Sequence, residues 1–84
     1  MLVTKLVGKW TVLSRPECSL CETFMDELVE VLGSSAALVQ VLDITGEIDL
    51  ERRYGARIPV LLIDEEFVCA YRLDRERLQP YIKS

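Results

Sequence analysis

The chain has 84 residues, enough for one domain and close to the lower limit at which a chain folds without disulfide or metal staples. Half of its residues are hydrophobic, so a core can form, and ten basic residues against fourteen acidic ones leave a net charge of −4 with no basic stripe, which argues against a nucleic-acid binder. No run approaches the roughly 18 apolar residues of a membrane span, and Met1 to Lys9 holds too short an apolar stretch for a signal peptide, so a cytoplasmic protein with no membrane partner is expected.

In chain order, Met1 to Gly8 alternates loosely in hydropathy, and residues 1–9 read as a short N-terminal extension or edge strand of a single domain spanning 1–84. Trp10, Val12 and Leu13 predict a strand over 9–14. Ser14-Arg15-Pro16-Glu17 predicts a loop, since Pro16 discourages regular structure. From Cys21 the apolar residues fall at Phe24, Met25, Leu28 and Leu32 with Glu22, Asp26, Glu27 and Glu30 opposite, the spacing of an amphipathic helix that Gly33 ends.

Ala36 to Asp43 is a nearly continuous apolar run and predicts a strand covered on both faces. With the strand and helix before it, this makes a βαβ unit with parallel strands. Thr45 is placed to cap a short helix from Gly46 to Tyr54, acidic at its start and basic at its end as the helix dipole favours, with Gly55 as its stop. After Ile58-Pro59, Val60 to Ile63 predicts another strand. Asp64-Glu65 is a candidate tight turn into Glu66 to Ala70, although without a glycine the two-residue hairpin geometry is poorly served and a longer loop is an alternative. Asp74, flanked by Leu73 and Leu78 as a hydrophobic staple, caps a last helix whose buried face continues through Tyr81 and Ile82, with Pro80 set to kink or stop it. The predicted order is β-α-β-α-β-β-α.

Chemistry concentrates in Cys18-Ser19-Leu20-Cys21, where a strand turns into a helix. The first turn of a helix has unpaired N–H groups and the positive end of the dipole, both of which favour thiolate over thiol. A cysteine so placed in a Cys-X-X-Cys arrangement can have its pKa lowered from about 8.5 into the range of roughly 3.5–7.5. Cys18 is then the nucleophile. Cys21, one turn deeper on the same face, can close a disulfide with it and resolve a mixed disulfide. Two other readings stand beside this one: half of a metal site, which the absence of histidine and the presence of only one further cysteine, Cys69, leave short of ligands, and two inert core cysteines. No bound metal is expected, and Cys69 reads as a small core residue.

The combination of Cys18, Cys21 and Ile58-Pro59 within this element order resembles the glutaredoxin-like family of the thioredoxin fold, over Trp10 to Ile82. The resemblance implies an α/β domain with a four-stranded mixed sheet flanked by helices, a cis peptide bond before Pro59, and a backbone at Ile58 that pairs with the peptide or glutathione portion of a substrate. It implies thiol-disulfide exchange with protein or small-molecule disulfides, no bound cofactor, a reductase or thiol donor that resets the pair, and glutathione as a candidate reductant or co-substrate. Two departures matter: Ser19 and Leu20 replace the usual Pro-Tyr between the cysteines, and Ala70-Tyr71-Arg72-Leu73-Asp74 lacks the usual glycine pair while keeping an acidic residue in Asp74. The resemblance implies Ile58, Pro59 and Asp74 as substrate-binding residues, and Arg15 and Tyr71 are added to the set from their positions in the sequence. Arg15 either lowers the Cys18 pKa or is a solvated loop charge, Glu17 works against ionisation, and Tyr71 either lines a substrate groove or packs. The alternatives to an oxidoreductase are a non-catalytic binding module of the same fold and a carrier of a metal or cluster between subunits.

Overall fold

Strand β4 (Val60–Ile63) consists of four consecutive buried apolar residues, as expected of a strand in the middle of a sheet with both faces covered. A computed structural model describes residues 5–83 and places six strands and three helices among them: β1 (Lys5–Leu6), β2 (Trp10–Ser14), α1 (Ser19–Leu32), β3 (Gln40–Asp43), α2 (Ile48–Tyr54), β4, β5 (Glu66–Ala70), α3 (Arg75–Leu78) and β6 (Ile82–Lys83). The main sheet has the order β3-β2-β4-β5. β2 runs parallel to β3 and antiparallel to β4, and β4 runs antiparallel to β5. The alternation of side chains along β4 divides the core: Leu61 and Ile63 join Trp10, Val12, Phe24 and Leu28 on the α1 side, while Val60 and Leu62 join Leu13, Ile44 and Tyr54 on the α2 side.

Helix α1 follows its apolar spacing, with Cys21, Phe24, Leu28 and Leu32 buried, and Gly33 at φ 57 leaves it in the left-handed region. The predicted strand over 36–43 forms only in its second half. Residues 33–38 coil into a 3₁₀ segment, and β3 begins at Gln40 on the edge of the sheet with Val41 50% exposed, so it is not covered on both faces. Alanine prefers helical backbone and is depleted in strands, so Ala36-Ala37 continue to coil beyond α1.

Thr45 does not cap α2. Its N–H donates to Asp43 Oδ1 at 2.9 Å, and its side chain and N–H together hold the Asp43 carboxyl below its usual pKa, so Thr45 is used in a turn and the helix starts two residues later than predicted, at Ile48 after Glu47. The Asp64-Glu65 turn is the tight one. Both residues take left-handed φ angles, 51° and 68°, and the strands pair directly across them, Ile63 with Glu66. Asp64 is held there from outside the hairpin: its N–H donates to the Lys9 carbonyl and its Oδ1 accepts the Lys9 N–H, both at 2.9 Å. Gly8 allows this approach, since it sits at φ 84 and a Cβ there would lie 2.6 Å from Asp64 Oδ2.

Asp74 caps α3 as expected, its Oδ1 accepting the Arg77 N–H at 3.3 Å between buried Leu73 and Leu78. The helix ends at Leu78. Pro80 then lies in a 3₁₀ turn, and Ile82 leaves helical geometry altogether to form β6, which pairs with β1, Leu6 opposite Ile82. Residues 5 and 6 of the predicted N-terminal extension are therefore a strand, though of a separate two-stranded sheet. Residues 1–4 of that extension lie outside the described residues.

Leu28 is 0% exposed in the larger core cluster, so Leu28→Ala is expected to lower stability by about 2–5 kcal/mol in urea unfolding. Gly8→Ala is expected to destabilise as well, with the Asp64-Glu65 hairpin losing amide protection first.

Candidate functional site

The sheet register gathers four segments at one end. Leu13 pairs with Val60, Val60 with Ala70, and Ser14 with Asp43, so the chain leaving β2, the chain entering β4, and the chains leaving β5 and β3 all meet there. Cys18, Ile58-Pro59 and Tyr71 belong to the first three of these segments.

Cys18 is the N-cap of α1. Its backbone is extended (φ −103°, ψ 104°), its carbonyl accepts the Glu22 N–H at 3.1 Å, and its Sγ accepts the Cys21 N–H at 3.2 Å. A sulfur in the position usually held by a serine or aspartate oxygen receives one of the orphan donors of the first turn, and that donor favours its charged form. Cys18 is partly exposed and Cys21 is 5% exposed, their sulfurs are at bonding distance, and their Cα atoms are 5.2 Å apart. The Cys18 sulfur is the outer of the two and the Cys21 sulfur the inner.

An open groove of about 540 Å³ runs past the pair, lined by Arg15, Glu17, Cys18, Glu22 and Asp26 among others. Three of these side chains are carboxylates, which oppose ionisation of a neighbouring sulfur. Arg15 does not counter them freely, because its Nη2 is 3.0 Å from Glu51 Oε1 of α2 and a Cβ on Gly55 would lie 2.8 Å from that same nitrogen. The donor placed on the Cys18 sulfur is the Cys21 N–H of the first helical turn.

The Ile58-Pro59 peptide is cis. The Pro59 carbonyl accepts the Tyr71 N–H at 2.9 Å, and the Tyr71 hydroxyl donates to the Ala56 carbonyl at 3.3 Å, so Tyr71 spans the loop that leads into Pro59. Tyr71 does so at φ 69, a left-handed conformation that a glycine adopts without steric hindrance. Asp74 is engaged in its cap and in a 3.4 Å ion pair with Arg77. Tyr71 and Asp74 line a second groove, of about 660 Å³, separate from the one that holds Arg15 and the cysteines. Of the predicted binding residues, Arg15 therefore lines the groove of the cysteines and Tyr71 and Asp74 line the other, while Ile58 and Pro59 line neither.

Glu51, Arg57 and Arg72 belong to this region and escaped the sequence reading. Arg57 stands two residues before Pro59, which was a usable signal; Arg72 had none beyond its place beside Tyr71. Cys69 is buried in β5, its thiol pKa raised by that burial against a partial offset from the Asp74 N–H. Among the described residues no group of three or more His, Cys, Asp or Glu side chains is arranged to hold a metal ion, and no helix is long and apolar enough to cross a membrane.

Residues 9–83 match the family model of the glutaredoxin-like domain (DUF836). No curated protein matches the chain. The solution NMR structure of protein Ne2328 from Nitrosomonas europaea is similar to it, with 30% sequence identity, coverage of 99% of this chain and 100% of that one, and a TM-score of 0.79. The sheet order, the helices and that structural likeness make the fold thioredoxin-like, and the pair Cys18 and Cys21 at disulfide distance fits a thiol redox role. With the family model covering nearly its whole length, this chain belongs to the glutaredoxin-like domain family.

Proposed function

We propose that this protein is a dithiol thiol-disulfide oxidoreductase. The observation that carries the reading is the partly exposed Cys18 sulfur accepting the Cys21 N–H at the start of α1, with the buried Cys21 sulfur at bonding distance behind it. Cys18 as thiolate attacks one sulfur of a substrate disulfide, the substrate bond breaks, and its other half leaves as a thiolate that takes up a proton. Cys21 then loses its proton and attacks the Cys18 sulfur, which releases the remaining substrate thiolate. The substrate has gained two electrons, and the Cys18 to Cys21 disulfide holds the oxidised equivalent until a thiol donor or reductase returns it to the dithiol.

Ile58 and cis-Pro59 offer backbone to an extended substrate across from Cys18, with the Pro59 carbonyl itself occupied by Tyr71. Arg15 positions the loop before Cys18 through Glu51. Protein and small-molecule disulfides are the substrate classes, glutathione is a candidate donor, and the cytosol, where thiols are held reduced, is the compartment in which such a pair cycles.

Cys18→Ser is expected to abolish reduction of bis(2-hydroxyethyl) disulfide and of insulin, while Cys21→Ser accumulates a mixed disulfide at Cys18 that intact-mass spectrometry detects. Activity unchanged by Cys18→Ser would remove the enzymatic reading. Because burial raises the Cys69 pKa, iodoacetamide at neutral pH is expected to modify Cys18 of the reduced native protein and to reach Cys69 only after unfolding. Peptide mapping of the alkylated protein reads this out directly.

A further inference from the structure

The second groove holds neither Cys18 nor Cys21, and its charge is opposite to that of the chain. Arg57, Arg72, Arg75 and Arg77 line it against the two carboxylates of Asp74 and Glu76, in a protein whose net charge is −4. Arg75 and Arg77 have surface partners, Glu30 at 3.1 Å and Asp74 at 3.4 Å, pairs of a kind that contributes little and exchanges readily. Arg57 lies 5.9 Å from the centre of the Phe67 ring, and neither it nor Arg72 has a carboxylate partner among the described residues. Phe67 and Tyr71, 43% and 48% exposed, add two aromatic surfaces to the same groove.

We infer that this groove docks an extended acidic segment of a protein disulfide substrate, a reading that rests on the oxidoreductase function proposed above. Guanidinium groups bind carboxylates through paired N–H donors, and exposed aromatic rings beside them cover the apolar stems of such a segment. Arg57, within the loop leading into Pro59, and Tyr71, bonded to that loop at Ala56, both line the groove, so part of it lies at the end of the sheet where the chain leaves β2 towards Cys18. Simple strand addition to the outer edge of β5 is hindered, because Arg77 Nη1 already donates to the Val68 carbonyl at 3.0 Å. Side-chain charge therefore does the selecting. A long polyanion such as a nucleic acid is disfavoured, because the neighbouring groove presents Glu17, Glu22 and Asp26.

The test uses the full-length reduced protein, the neutral bis(2-hydroxyethyl) disulfide, glutathione disulfide, and two disulfide peptides of equal length whose cysteine is flanked by Asp and Glu or by Asn and Gln. The acidic peptide is expected to have kcat/KM about tenfold above its neutral counterpart at low salt. That advantage is expected to shrink strongly at ~0.3 M salt. Arg72→Glu and Arg57→Glu are expected to remove the advantage through KM, leaving kcat and the rate with the neutral disulfide unchanged. Equal rates for the two peptides overturn the inference, as does an arginine effect confined to glutathione disulfide, or a concentration-dependent dimer that Arg72→Glu dissolves. If the wild type reduces none of these disulfides, the oxidoreductase reading fails on its own, and fluorescence anisotropy of the labelled acidic peptide decides the docking: binding weakened by Arg72→Glu supports it, and binding unaffected by that change overturns it.

Discussion

The pairing of Leu13 with Val60 is the constraint from which the site follows. Because β2 and β4 run antiparallel at the centre of the sheet, the end of one lies beside the beginning of the other, and whatever follows β2 meets whatever precedes β4. The chain puts the cysteine pair after the first and cis-Pro59 before the second. A register slip of one residue would turn the buried set of β4 over and exchange the residues of the two core clusters, so packing on both faces holds the two loops in place. The chemistry at the sheet end is thereby anchored by apolar burial several residues away.

Elements with one strong local signal were legible in the sequence. The spacing of Phe24, Leu28 and Leu32 defined α1, the four apolar residues 60–63 defined β4, and Asp74 between Leu73 and Leu78 announced α3. What misled was competition between local and tertiary partners. Thr45 resembled a helix cap but bonds backward to Asp43. The Asp64-Glu65 tight turn was legible, but not the hold that Lys9, 55 residues away, has on Asp64. The apolar run before Asp43 resembled a buried strand, and only the sheet order shows that it lies at an edge. At the site, the cysteine pair and Pro59 were readable from their motif. The ties of Arg15 to Glu51 and of Tyr71 to Ala56 were not, since each joins segments that periodicity does not relate.

The two grooves give the sheet end a polarity. Carboxylates of the α1 side border the cysteine pair, while arginines of the β5 and α3 side border the far flank of Pro59. Carboxylates beside a sulfur and N–H donors of a helix terminus act on it in opposite senses, and this site holds both.

The Cys18 sulfur is also the group that closes the first turn of α1, so the start of the helix and the proposed exchange chemistry share a single atom. An ionised sulfur grips the Cys21 amide more firmly than a neutral or bonded one does. In the dithiol cycle proposed above, the opening of α1 would therefore tighten and relax with the state of this sulfur. A partner that senses how firmly that helix begins would be reading the oxidation state of the protein without touching either cysteine.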